Sequence, residues 1–474
     1  MKFIVSDHLP GENRFGKWHY THDRDVKIYR DLAKTVLWFG YTIEQDIRKF
    51  FLKDIKKLKQ ANGNFCVVVL YKDRMEVCLD YFGQTKVYYH IRDGLTVTNQ
   101  LALLPLTKSD IKTWTVDRFM QGLGEDVPMY ACKDPMNMQF IYQWNDFSHD
   151  NTVFNYVSSV PRDHWLVHEN DETTLKKIHD TYRTIFTSFR NKKIKKIDDT
   201  ELEDKIHQCM EQHSTVIKKN YRNICSSISE GIDSTLQDQY FSAKTRLMYH
   251  PKDSTTIEEL PPKANLIEQY KDRKKEINFD VFDVTKINNI TKENICDPML
   301  SWVDAVPTIW QVNKLSKKPD VLMYGSYGDE MFMHLPKFLF AMVPPHRREE
   351  YADCYGGRKS PARPFVDPYQ KRMVNDWQTK FAKMALPNRY GRDIEAQTGV
   401  FTTSLYADRR IFNLLHKATF HQQIDSMANV GTQKRILNNK FKFDFKTKFK
   451  DGAGYECRMV IKQLLTNVID KIVK

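Results

Sequence analysis

The residues with the clearest chemical potential sit in two short loops. Ser229-Glu230-Gly231-Ile232-Asp233-Ser234 follows an apolar stretch, Ile224 to Ile228, and precedes a helix-like segment. Such a loop suits the pyrophosphate of a nucleotide. Backbone N–H groups and the positive end of the helix face the anion, and a carboxylate can hold its magnesium. The second loop, Tyr324-Gly325-Ser326-Tyr327-Gly328-Asp329-Glu330, follows a strand-like run from Val321 to Tyr324 and ends in paired acids. Strings of Ser, Gly and Asp are common in loops. Two acid-bearing loops at two strand ends together point to a nucleotide site.

The elements that must position these loops follow from periodicity. From Tyr221 onward, strands are expected at Asn223 to Ile228, Arg246 to Tyr249, Phe279 to Val284 and Val321 to Tyr324. They alternate with helical segments from Thr235 to Ser242 and from Met299 to Leu315, the latter interrupted near Pro307. This alternation predicts a parallel sheet with helices on both faces, where ligands sit at the strand C-terminal ends. Residues 344–474 read as mostly helical, with a Pro- and Gly-containing loop over 356–368.

The first half reads differently. Phe65 to Tyr71, Met75 to Tyr81, Lys86 to Ile91 and Leu95 to Asn99 are short and rich in Val, Tyr, Phe and Thr, with turn residues between them. Their close spacing predicts antiparallel hairpins. Both faces of 65–71 are apolar, so this strand needs cover on both sides. A helix from about Ile43 to Gln60, with Phe50, Phe51, Ile55 and Leu58 near helical spacing, would supply one cover. The basic run Arg190 to Lys196 is the best linker, and Thr200 and Glu203 beyond it have capping-box spacing. Leu202, Ile206, Met210, His213 and Ile217 then form one helix face, on which His213 is expected to be packed or half-exposed rather than catalytic.

Bulk properties narrow the class. A chain of 474 residues holds two or three domains. Its longest apolar runs, such as Phe338 to Val343, are too short to span a bilayer, and Met1 to Asp7, without a sustained apolar stretch, is not expected to act as a secretory signal. Eight scattered cysteines without a C-x-x-C pair argue against a zinc site or a disulfide framework and for a reducing, cytoplasmic setting. The net charge of +13 reads as solvated faces plus phosphate-binding lysines, with a nucleic-acid-linked substrate as the weaker reading.

On these residues the chain resembles the asparagine synthetase and β-lactam synthetase family along nearly its whole length. That family's S-G-G-x-D-S resembles Ser229 to Ser234, and its G-E-G-A-D-E-L-F resembles Gly325 to Phe332. Its R-D-x-x-G-x-x-P-L-Y-Y resembles Leu79 to Tyr89, its G-x-F Gly63 to Phe65, its G-L-E-x-R-x-P-F-L-D Gly399 to Asp408, and its K-x-x-L Lys434 to Leu437. The resemblance implies a degenerate, Ntn-type αββα antiparallel sandwich over 1–190, a basic linker over 191–200, and an α/β PP-loop domain with a helical C-terminal region over 201–474. It also implies ATP and Mg2+ as cofactors. A substrate carboxylate would attack the ATP α-phosphate, releasing pyrophosphate, and an amine or ammonia would then displace AMP. Asp233 and Asp329 match the Mg2+-holding acids, and Lys434 the lysine that meets the α-phosphate. Ser229, Gly231 and Ser234 fall in the pyrophosphate loop, while Ile228, Met248 and Gly325 match the adenosine pocket. Each has a plain alternative as a solvated acid, a surface lysine or a packed apolar residue, and for Met248 simple packing is at least as good a reading.

The departures shape the expectation. Lys2 stands where the family glutaminase exposes its cysteine, and using Ser6 instead would require removing five residues. Glutamine hydrolysis is therefore expected to be lost, leaving the N-terminal domain as a scaffold or substrate-shaping module. Glu230 replaces a loop glycine, and Ser326 and Phe401 replace acids that serve the amine in the family; Tyr324, Tyr327 or Glu330 could substitute. The expected activity is an AMP-forming carboxylate–amine ligase without glutaminase. The alternative is a retired family member, kept as a nucleotide-binding scaffold or regulatory partner.

Overall fold

A computed structural model describes residues 1–53, 55–106, 155–161, 164–178, 197–229, 231–241, 243–252, 270, 277–283, 305–332, 389–415, 417–418, 422 and 431–443. The expected loop over 356–368 and most of the expected helical region lie outside these residues.

The first 177 residues contribute two antiparallel sheets. One has the order β10-β8-β9-β1-β3-β2, from β1 (Phe3–Ser6), β2 (Asn13–Phe15), β3 (Trp18–His22), β8 (Tyr88–Ile91), β9 (Leu95–Thr98) and β10 (Val157–Ser159). The other has the order β12-β11-β7-β6-β5-β4, from β4 (Lys27–Arg30), β5 (Thr35–Thr42), β6 (Gly63–Leu70), β7 (Arg74–Leu79), β11 (His164–Glu169) and β12 (Glu172–Lys177). Phe3, Val5, Trp18 and Tyr20 on the first sheet share a core with Leu37, Phe39, Val68 and Val77 on the second. The opposite face of the second sheet, with Val36, Trp38, Val67 and Val69, is covered by Phe50, Phe51 and Leu58. Central strand β6 is therefore buried on both faces, as its unbroken apolar run requires.

Three local expectations need correction. The cover over the second sheet is a short helix, α1 (Arg48–Lys53), followed by a 3-10 segment, Ile55–Gln60. Asp46 Oδ1 accepts the Arg48 N–H at 2.9 Å, and this side-chain turn competes with helix before Arg48. Thr200 does not cap the long helix α2 (Asp199–Asn220). Asp198 does, accepting the Glu201 N–H at 2.7 Å, while Glu203 is drawn into an ion pair with Arg435. Pro307 does not interrupt its helix, which runs unbroken through it over Ala305–Lys314; the expected start, Met299 to Asp304, lies outside the described residues.

The remaining described strands build an all-parallel sheet of order β15-β14-β13-β16-β17. They are β13 (Ile224–Ser227), β14 (Thr245–Lys252), β15 (Asn278–Asp283), β16 (Val321–Met323) and β17 (Phe401–Thr403). Strand order runs outward from β13 through β14 to β15 on one side and from β16 to β17 on the other. The reversal falls between β13 and β16, and in such sheets the crevice for ligands opens there, beyond the strand C-terminal ends. The sandwich and this sheet share one core, in which Phe401 packs between Phe39, Tyr41 and Tyr221. Among the described residues, no helix is long and apolar enough to cross a membrane.

Candidate site at two adjacent strand ends

Strand β13 ends in a loop closed by its own side chains. Ile228 is buried and its N–H donates to the Leu247 carbonyl at 2.9 Å, extending the pairing with β14. The Ser229 N–H then donates to Ser234 Oγ at 2.9 Å, and the two hydroxyls lie 2.9 Å apart. The Gly231 N–H donates to Ser229 Oγ at 3.1 Å, and the Thr235 hydroxyl donates to the Gly231 carbonyl at 3.0 Å. Gly231 begins helix α3 (Ile232–Gln239) and brings no side chain to cap it, so the helix start stays unblocked on the loop side. Ser229 is exposed and Asp233 half-buried, whereas Ser234 is buried and ties the loop shut. Glu230 lies outside the described residues.

The second loop leaves adjacent strand β16 and lies directly against the first. A Cβ on Gly325 would fall 2.6 Å from the Ser234 backbone nitrogen, and one on Gly328 would fall 2.2 Å from Asp233 Cγ. Only glycine permits contact this close at both points. Between them Tyr327 adopts a left-handed backbone, φ 72°, which turns the chain into the short helix Gly328–Met331. The backbone of Asp329 and Glu330 belongs to that helix; their side chains lie outside the description.

A third wall comes from distant sequence. Helix α8 (Gly431–Phe441) places Gln433 so that its amide donates to Asp233 Oδ1. Lys434 follows on the same helix and is half-buried. The Tyr406 hydroxyl donates to the Asp233 carbonyl at 2.8 Å, and Gln237 Oε1 accepts the Leu405 N–H at 2.7 Å. Ser404 Oγ donates to the Ser326 carbonyl at 2.7 Å, pinning the second loop. Asp233 is thus the meeting point of the two loops and α8. Met248, expected in the adenosine pocket, is buried in β14 with its carbonyl accepting from Gln311 at 2.8 Å. Gln433, Tyr406, Gln237 and Ser404 were not singled out as site residues, although Ser404 and Tyr406 fall within the Gly399 to Asp408 stretch and Gln433 neighbours Lys434.

The junction behind the site is buried and polar. The Tyr41 hydroxyl lies 2.7 Å from His213 Nε2 and 2.9 Å from Thr403 Oγ1. Burial pushes the His213 imidazole down to about 4. Asp80, in the turn after β7, accepts the Phe82 and Gln84 N–H groups at 2.9 and 3.0 Å, yet burial raises it to about 7. Burial likewise raises Glu395 to about 8. Phe401 stacks on Tyr221 with ring centroids 5.3 Å apart, facing this junction. At the start of the chain, Ser6 is buried, with its hydroxyl 2.9 Å from Thr96 Oγ1 and accepting the Leu9 N–H at 3.0 Å. It works as a turn residue.

No family profile matches the chain, and no curated protein does. Among solved structures it aligns with an allosteric regulatory enzyme of purine biosynthesis at 9% identity and a TM-score of 0.22, over 56% of this chain and 63% of that one. It also aligns with the glutamine phosphoribosylpyrophosphate amidotransferase of B. subtilis, complexed with ADP and GMP, at 6% identity and a TM-score of 0.21, over 74% and 73% of the two chains. The chain therefore spans 63% of the length of the first. Superpositions this weak carry no functional argument.

Proposed function

We propose that this protein is an ATP-dependent, AMP-forming carboxylate–amine ligase without glutaminase activity. The observation that carries the reading is the convergence of the Ser229–Ser234 and Tyr324–Glu330 loops at the ends of adjacent strands β13 and β16, where the strand order reverses. A carboxylate is a poor electrophile. Joining its oxygen to the α-phosphorus expels pyrophosphate and supplies a leaving group; attack of an amine nitrogen on the acyl carbon then expels AMP and forms the amide. Positioning and neutralisation of phosphate charge would supply most of the rate.

The residues fit a polyphosphate. Gly325 and Gly328 let the second loop pack directly against the first, which brings both acid-bearing loops to one strand-end crevice, and Gly231 leaves the start of α3 unblocked for an anion. Asp233, with Asp329, would hold a magnesium ion, which would screen phosphate charge; hard carboxylate oxygens suit that ion. Gln433 orients the Asp233 carboxylate. Lys434, one residue on, would carry the positive charge that meets the α-phosphate, and Glu330 stands as the candidate acid for the amine.

A second reading, a retired enzyme that keeps its nucleotide pocket, draws support from Phe401. Where the resemblance would place an acid for the amine, this ring is 2% exposed among aromatics of the junction. Isotope exchange between labelled pyrophosphate and ATP, with pooled metabolite carboxylates and Mg2+, separates the two. Carboxylate-dependent exchange that vanishes in Asp233→Ala is the expected result. ATP binding without exchange would replace the ligase by the retired enzyme, and absence of both would remove the nucleotide site.

A further inference from the structure

Away from the two loops, the sandwich brings together Asp7, His168 and Asp171. Asp7 follows β1 of the first sheet; His168 lies on β11 of the second, and Asp171 in the turn from β11 to β12. One potential ligand atom from each lies within 4.8 Å of the others, and among the described residues no second group of His, Cys, Asp and Glu does this. The three come from both sheets of the sandwich.

His168 is the telling member. It is 4% exposed, and its Nε2 has no hydrogen-bond partner. Asp7 Oδ2 lies 3.9 Å away and Asp171 Oδ1 4.0 Å away, both beyond hydrogen-bond reach. The other ring nitrogen, Nδ1, lies 2.8 Å from Thr173 Oγ1, its cross-strand neighbour. If Nδ1 carries the proton and donates to Thr173, Nε2 presents a bare lone pair between two carboxylates. If Nε2 carries it, that N–H points at oxygens too far to accept it. A buried donor left in that state is costly. The ring is also held in place, edge-on to buried Trp18 at 5.5 Å. Asp7 is anchored in the same manner: its Oδ1 accepts the Leu95 N–H at 2.9 Å, which leaves Oδ2 as the oxygen turned toward His168.

We infer that Asp7 Oδ2, His168 Nε2 and Asp171 Oδ1 are the ligands of a divalent transition-metal site of the zinc class that clamps the two sheets together. An imidazole with its second nitrogen hydrogen-bonded, joined by carboxylates, is a common donor set for such an ion, with ligand bonds of about 2.0–2.2 Å. The Nε2–carboxylate separations of 3.9 and 4.0 Å close on that geometry with a small shift, which falls mainly to exposed Asp171. Lys17 is the competitor, since its Nζ holds Asp171 Oδ1 at 2.8 Å. Both partners reach solvent, so water weakens that pair and a divalent ion can displace it. No cysteine takes part, which is why cysteine spacing gave no sign of the site.

The test is calorimetric titration of the full chain with Zn2+, and with Co2+ followed by its visible absorption, together with thermal unfolding in each metal. The expected result is one site whose occupancy raises the melting temperature. Asp171→Asn, at a position 89% exposed, leaves the fold intact and should weaken binding by roughly tenfold or more. His168→Gln should abolish the Co2+ signal, and Lys17→Ala should tighten binding. Metal uptake unchanged in Asp171→Asn and His168→Gln, or no uptake by the wild type at millimolar Zn2+, overturns the inference and leaves the cluster as a screened ion-pair group.

Discussion

At the scale of single residues, the candidate site depends on two glycines that fail differently when filled. A Cβ on Gly325 meets backbone, the Ser234 nitrogen, which cannot yield without moving the first loop. Gly325→Ala should therefore lower stability by about 1–3 kcal/mol, the usual cost of overpacking, measured by urea denaturation. A Cβ on Gly328 meets the Asp233 side chain instead. That carboxylate can rotate, so Gly328→Ala should retain more stability yet lose ATP binding, because the rotated acid leaves its Gln433 partner. Equal loss of both properties in both variants would show that the loops act as one rigid block.

At the scale of elements, the long helix α2 offers a clean comparison. Asp198 caps it and Thr200 does not. Asp198→Ala should cost about 0.5–2 kcal/mol, the range for lost N-caps, while Thr200→Ala should be close to neutral. The reverse order in thermal denaturation would restore the cap that residue spacing alone suggested. The error is instructive. Thr200 and Glu203 have the right spacing, but Glu203 is recruited by Arg435 on α8, a partner 232 positions away. Local rules placed the helix and its buried face, Leu202, Ile206, Met210, His213 and Ile217, and missed only which oxygen begins it.

At the scale of the whole molecule, stability rests on the junction between sandwich and parallel sheet. Phe401→Glu would restore an acid where the resemblance expects one, but it would bury a charge among Phe39, Tyr41 and Tyr221. We expect collapse of the melting transition rather than gain of activity, since an unpaired buried charge costs several kcal/mol. Buried titratable groups set the pH response. Asp80 and Glu395, raised to about 7 and about 8 from 3.8 and 4.5, bind more protons in the fold than in the unfolded chain. Their contribution is lost as pH rises toward those values. His213, lowered to about 4 from 6.5, does the opposite, and its contribution is lost as pH falls through that window. The two effects oppose each other below pH 6.5; above it, of these three groups, only the carboxyls titrate. Denaturation midpoints should therefore fall between about pH 6.5 and 8, and Glu395→Gln should flatten that slope. A flat wild-type profile there would mean that both acids are already ionised in the fold.

The sequence by itself determined the two grammars of the chain. Short apolar runs with tight turns from Phe65 to Asn99 could only pair as antiparallel hairpins, and alternating strands and helices after Tyr221 could only make a parallel sheet. It also located both loops, because in each a glycine- and acid-bearing string directly follows an apolar, strand-like run. It did not reveal the five strands up to Thr42, the three between Val157 and Lys177, or the edge strand Phe401–Thr403, whose identity as strands depends on partners far along the chain. Tertiary structure alone decided that Gln433 and Tyr406 hold Asp233 and that Phe401 turns into the core. It likewise brought Asp7, on one sheet, within reach of His168 on the other. Those outcomes are set by which surfaces meet when the sheets stack, and no periodicity within a segment records what lies across from it.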